Sequence, residues 1–289
     1  MLPVIFEIPL PGGRTLPIHG YGLMIVVGFL TLTWICSREA QRRGLPRFVF
    51  DLGLTMLLTG FLGGRIFYYV EFYDEQFAHL PVTEFFKIWK GGLVFYGGAI
   101  GGVVGAVGYI RVRKLPLLPC LDIAAMGCPI GMGFGRLGCF LNGCCYGRPC
   151  LADFPLGVRF PVGSPAHHAQ QQLGWVGMVG ETLPVHAVQL YQAGHDFLLF
   201  GLILLYLRRP ESPIGVGMPL LFGLYAIGRF GLEGLRADTA PTWTGWSTGQ
   251  NTSLFLGVVA GLLVAWIYRR EARSEARIDD SLKKNPLGS

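Results

Sequence analysis

The sequence predicts an all-α integral membrane protein: seven transmembrane helices with a small external head or arm insertion. Three observations predict it. The 289-residue chain is 51% hydrophobic and only 15% charged, with a mean hydropathy of +0.45, whereas a soluble domain carries about 25% charged residues. Seven apolar stretches reach, or nearly reach, the length that crosses a hydrocarbon core of about 30 Å. Basic residues gather after alternate stretches, as the positive-inside rule requires of cytoplasmic loops.

Taken in order, residues 1–17 are rich in Pro and Gly and are expected to lie as an external segment on the bundle. The first ten residues have no basic n-region, so no cleavable signal peptide is expected. Spans follow near 18–37, 48–70, 91–110 and 121–142. Residues 143–187, interrupted by Pro149, Pro155, Pro161, Pro165 and Pro184, form the external insertion. Within it, Leu156–Phe160 suits a short strand, and the doublet His167-His168 reads as a solvated loop. Three more spans lie near 188–207, 214–235 and 252–268. The domain reading is therefore 1–142, 143–187, 188–270, and a cytoplasmic tail 271–289 that starts helical and frays.

Arg38, Arg42, Arg43 and Arg47 follow span one, Arg111, Arg113 and Lys114 span three, Arg208 and Arg209 span five, and a basic run span seven. The loop after span two carries Glu71, Asp74, Glu75 and Glu84 beside Lys87 and Lys90. This places the N-terminus outside and the C-terminus in the cytoplasm. The net charge of +6 then reflects topology and anionic lipid, not nucleic acid. No nucleotide, flavin or haem motif is present, and no transporter-like repeat. Gly97, Gly101 and Gly105, Gly60 and Gly64, and Gly127, Gly131 and Gly135 each fall four apart, the spacing that lets helix backbones approach in lipid.

Chemistry enters where charge interrupts these runs. A guanidinium keeps its proton, so Arg65, Arg136 and Arg229 inside apolar stretches each need an anionic or carbonyl partner. Tyr225, Arg229 and Glu233, spaced i, i+4, i+8, stack along one face of span six. They form either a structural ion pair or one wall of an anion site. Arg136 and Arg229 suit a clamp on a phosphate, whose oxygens match the guanidinium fork. Arg65 is a third donor or an interfacial snorkel, and His186 a general base or a backbone-bonded histidine. Cys139, Cys144, Cys145 and Cys150 fall within twelve residues. A disulfide such as Cys145–Cys150 or Cys144–Cys150, free thiols and a metal site all remain open, although adjacent cysteines are awkward ligands for one tetrahedron.

With these residues assembled, the chain from about residue 18 to 270 resembles the bacterial prolipoprotein diacylglyceryl transferases. The resemblance lies in Tyr21-Gly22-Leu23-Met24, Gly63-Gly64-Arg65, Gly91–Gly98, Gly135–Arg148, His186 with Gln189-Leu190-Tyr191, and Tyr225, Arg229, Glu233, Arg236 and Asp238. It implies transfer of the diacylglyceryl group of phosphatidylglycerol to the lipobox cysteine of a preprolipoprotein, in the bacterial inner membrane, with no cofactor. It also implies catalytic roles for Arg136, Arg229, Tyr96, Glu233 and Tyr225. Headgroup binding would fall to Arg136 and Arg229 with Tyr21, Asn142, Gly147, Arg65 and His186. This chain departs from the family pattern in carrying Cys139 for the usual Asn, Cys144 for Glu, and Tyr96 for a His. A phenol with a pKa near 10 is a poor base at neutral pH, so thiol activation is left to Glu233, His186 or the field of the arginines. The departures also keep open a different thiol acceptor or phospholipid, or a non-catalytic lipid-binding role.

Overall fold

The computed structural model describes the chain except residues 1–3, 12–13, 79–80, 88–91, 238, 240 and 285–289. Gly91 and Asp238 therefore lie outside the described residues. An antiparallel hairpin opens the chain, β1 (Val4–Leu10) against β2 (Arg14–His19). The Pro- and Gly-rich segment at the start of the chain thus contains a paired hairpin. In β1, Phe6 and Ile8 face Ile18 and Leu16 of β2, a period-two signal that the prolines obscured and that a register shift between Val4 and Phe6 interrupts.

Helices then form at each of the seven expected positions. These are α1 (Gly20–Arg42), α2 (Val49–Glu71), α3 (Phe95–Val112) and α4 (Leu117–Asn142), then, after a short helix α5 (Pro165–Gln172), α6 (Val188–Leu207), α7 (Gly217–Glu233) and α8 (Thr248–Lys284). Among the described residues, α1, α2, α4, α6 and the part of α8 up to Ser274 are long and apolar enough to cross a membrane. The helices α3, of 18 residues, and α7, of 17, are shorter. Within the insertion, β3 (Gly157–Val158) pairs with β4 (Val185–His186), and Phe160, Ala166 and Val185 form a small buried core. Ser164 caps α5 by accepting from the His167 backbone N–H at 3.2 Å. That turn drives His167 inward to 2% exposure, which corrects the solvated reading of the doublet for His167.

The chain divides into two compact units, one of Thr33–Cys120 and the other of the residues before and after it. In the first, α2 and α3 pack backbone to backbone. A methyl added to Gly63 would stand 2.3 Å from the Gly97 carbonyl, and one added to Gly101 2.3 Å from that of Thr59. The glycine spacing in spans two and three is therefore a packing seam. In α4, by contrast, Gly135 faces open space, and a methyl at Gly131 would meet the end of the Leu32 side chain at 3.3 Å and no backbone.

In the second unit, buried Asp122 on α4 accepts from the N–H groups of Gly215 and Gly217, each at 2.8 Å. A carboxylate satisfied at the N-terminus of α7 is a stable charge in an apolar setting. It fixes α7, which carries Arg229, to α4, which carries Arg136. Close helix approach continues where Gly228 of α7 meets the His195 ring and Gly133 of α4 meets Phe197, both on α6.

Candidate active site

The polar stripe of α7 closes into a network at its C-terminal end. Arg229 Nη2 lies 2.8 Å from Glu233 Oε2, and Arg236 Nε lies 3.8 Å from the same oxygen. Ser247 Oγ donates to Glu233 Oε1 at 3.2 Å. Glu233 is 2% exposed, and Gly249 leaves it room, since a methyl there would stand 2.3 Å from Oε1. Arg236, Ser247 and Gly249 were not singled out from sequence as site residues. The i, i+3 spacing of Glu233 and Arg236 was the available signal.

This carboxylate leaves much unsatisfied. Arg229 and Arg236 share Glu233, and Arg229 also feels the charges of Arg136 and Arg236, so one carboxylate faces two guanidinium groups with a third nearby. The buried Nη1 of Arg229 has no hydrogen-bond partner among the described residues. Burying such a donor without an acceptor costs about 1–3 kcal/mol, more for a charged group. An anionic oxygen beside it removes that cost.

A stitched loop carries the remaining residues to the same end. Gly147 donates its N–H to the His186 carbonyl at 3.1 Å, and Arg148 donates to Leu235 O at 2.8 Å. The Arg148 side chain adds a bond to Arg236 O at 3.1 Å. A methyl at Gly147 would stand 2.5 Å from the His186 carbonyl, so only glycine allows this crossing. His186 is held through its backbone, with its ring edge-on to Phe154 at 4.8 Å between centroids. Its buried Nδ1 is unpartnered. On α6, Gln189 donates to Cys144 O at 2.8 Å.

Tyr21, at the start of α1, packs over Gly138 on α4 and interacts electrostatically with Arg136 and with Cys139, Cys144 and Cys145. Asn142 ends α4 with an exposed side chain. Tyr225 lies beside Arg229 electrostatically and its ring stands 6.3 Å from that of His195. Nδ1 of His195 is 3.4 Å from Asp196. Cys139, Cys144, Cys145 and Cys150 are free thiols, so of the three open readings the disulfide is not the one formed. Hydrogen bonds from the Cys139 and Cys144 thiols, with the guanidinium groups of Arg236 and Arg136, hold the Cys145 thiol well below its ordinary range. Even a thiolate there leaves the arginine set cationic. Next to the stripe, an apolar cavity of about 760 Å³ runs between α7 and α8, lined by Leu220, Gly223, Ile227, Phe230, Gly257 and Val264.

Arg65 and Tyr96 belong to the other compact unit. Arg65 is 3% exposed and donates to the carbonyls of Phe85, Glu84 and Gly92 at 2.8–3.0 Å. Its fork therefore organises the chain after α2. Tyr96 sits on the first turn of α3, 71% exposed.

The sequence model of the family described as prolipoprotein diacylglyceryl transferase matches residues 3–267. A Clostridium tetani protein named phosphatidylglycerol–prolipoprotein diacylglyceryl transferase is 31% identical over 265 residues, covering 91% of this chain and 96% of its own. An Escherichia coli protein of the same name is 34% identical over 281 residues, covering 93% and 94%. A Shigella boydii protein of that name shows the same identity and coverage.

Proposed function

Because the chain belongs to the prolipoprotein diacylglyceryl transferase family, we propose that it transfers the diacylglyceryl group of phosphatidylglycerol to the lipobox cysteine of preprolipoproteins. The observation that carries this reading is the buried, unpartnered Nη1 of Arg229, beside Arg236 on one shared carboxylate and within the field of Arg136. Such a set is complementary to a phosphate, and most so when charge builds on the leaving oxygen. The acyl chains of the lipid fit the apolar cavity between α7 and α8.

The cysteine sulfur attacks the sn-3 carbon of the glyceryl group. A C–S bond forms, the C–O bond to phosphate breaks, and its electron pair leaves on the phosphate oxygen. The products are a thioether and glycerol phosphate. The proton leaves the thiol as sulfur attacks, and the phosphate monoester, with a second pKa of about 6, can take it up. Arg136 and Arg229 grip the phosphate. Glu233 aims Arg229 and Arg236, while Tyr21, Tyr225, Asn142, Gly147 and His186 shape the headgroup pocket. Arg65 is a positioning residue for the loop before α3, and Tyr96 a hydrogen-bond donor to lipid and not a base.

In this reading all seven long helices span the inner membrane of a bacterium, with the N-terminus and the 143–187 head outside and the 271–289 tail in the cytoplasm. Spans one to four with the N-terminal segment form the first part, up to residue 142, and spans five to seven the part 188–270. The site then faces the outer leaflet. The test is to mix purified protein with phosphatidylglycerol and a lipobox peptide and follow the peptide mass and released glycerol phosphate. A diacylglyceryl mass gain that disappears with Arg229→Ala is expected; no gain, with phosphatidylglycerol bound, overturns the reaction.

A further inference from the structure

Cys139, Cys144 and Cys145 bring their sulfurs to within 4.8 Å of one another, a convergence that needs two backbone devices. At the end of α4, Gly143 adopts φ 74° and donates to Phe140 O at 3.2 Å, while Cys144 N–H reaches back to Cys139 O at 3.1 Å. This is the Schellman pattern, which stacks the side chain in the last turn against the one two residues past the cap. Cys139 and Cys144 therefore meet. Consecutive side chains normally diverge, and Cys145 would point away from Cys144. It is instead left-handed, with φ 57°, a conformation that non-glycine residues adopt at a cost, and this turns its sulfur back to the other two. The bond from Gln189 to Cys144 O pins the turn to α6.

We propose that Cys139, Cys144 and Cys145 bind one thiophilic divalent cation of the zinc class as three thiolates, leaving its fourth position for the thiol of the incoming lipobox cysteine. Tetrahedral zinc with bonds of about 2.3 Å holds its sulfurs about 3.8 Å apart, so the three thiols need only small rotations about χ1. Three thiolates on a divalent ion carry one net negative charge, and Arg136 and Arg236 both interact with Cys145 from nearby. Three protein ligands with one open position is the pattern of a working zinc site rather than a structural one. Coordination strips the proton from a bound thiol. With the metal bound, the proton is lost to solvent on coordination, before attack, instead of passing to the phosphate, and the metal-held sulfur then forms the C–S bond as the C–O bond to phosphate breaks. The role of the open position rests on the transferase reading above; the three-thiolate site does not.

The test uses the full-length, reduced protein in detergent, titrated anaerobically with cobalt(II). Tetrahedral cobalt–thiolate absorption at one equivalent, displaced by zinc(II), is expected. Cys139→Ser, Cys144→Ser and Cys145→Ser should each weaken binding at least a hundredfold, while Cys150→Ser leaves it unchanged. These near-isosteric variants are compared only where they remain monodisperse. In the wild type, a lipobox peptide should shift the visible bands towards four-thiolate coordination, and its Cys→Ser counterpart should not. Absence of tetrahedral absorption, or absorption that survives Cys145→Ser, overturns the site. Intact absorption without a peptide-induced shift overturns the open position. Full transfer by metal-free protein sinks the catalytic role while leaving the transferase reading standing, and absence of transfer in every metal state sinks that reading while the spectra still decide the site.

Discussion

Arg229 is the side chain whose removal separates a phosphate clamp from a merely structural ion pair. A structural pair with Glu233 would lose stability on Arg229→Ala, with little effect on turnover in protein that stays folded. A clamp loses the charge-assisted donors that act on the leaving phosphate, a term of about 3 kcal/mol or more in comparable oxyanion sites. Arg229→Ala should therefore cut transfer at least a hundredfold while the protein stays monodisperse in detergent. Arg229→Lys should recover little, because an ammonium supplies the charge without the fork. Tyr96→Phe should cost less than tenfold in the same assay, and a loss equal to that of the arginines would make Tyr96 a direct catalyst. The arginine stripe was legible because charge at helical spacing inside an apolar run has few explanations. The thiol convergence was not, since it depends on the left-handed Cys145, a backbone choice that no side-chain pattern announces. His167 was misread for a related reason: Ser164 starts a helix in a segment rich in proline, and the helix turns one histidine of the pair inward.

At the scale of elements, the clamp depends on how α4 and α7 are held. Asp122 does this with two hydrogen bonds to the start of α7. Asp122→Ala would orphan both N–H groups, at about 1–3 kcal/mol each, and release α7. Its thermal midpoint should fall by several degrees and its transfer rate with it. Asp122→Asn keeps one acceptor and turns an amide against the other N–H, so it should fall between wild type and Asp122→Ala. A different residue tests the α2–α3 seam. Gly101→Val places a branched side chain where even a methyl would stand 2.3 Å from the Thr59 carbonyl, so it should yield little folded protein in a detergent extraction. Glycines four apart announced that seam, yet the same spacing in α4 produced none at Gly135. Spacing shows which face is smooth and leaves open which neighbour uses it. The Asp122 link joins segments more than ninety residues apart, and nothing local in either segment pointed to the other.

For the whole molecule, the open question is how many helices cross the membrane, and parity alone does not answer it. Five crossings or seven both put the termini on opposite sides. The difference falls on α3 and α7, whose 18 and 17 residues give about 27 and 26 Å of helix at 1.5 Å per residue. That is slightly short for a core of about 30 Å, a mismatch the bilayer absorbs by thinning at a fraction of a kcal/mol per Å. If these two did not cross, the segment Arg111–Lys114 would join the acidic loop after α2 outside, and Arg208 and Arg209 would follow it. Both basic clusters would then oppose the positive-inside rule. With all seven crossing, both lie in the cytoplasm, and the head and the arginine clamp open to the outer leaflet, where a secreted lipobox arrives. A protease site inserted after Lys114 of the full chain distinguishes the two. We expect it to resist protease added to intact spheroplasts and to be cut once the membrane is permeabilised. Cleavage in intact spheroplasts would remove α3 from the membrane-crossing set and reverse the side of every loop from α3 to α7.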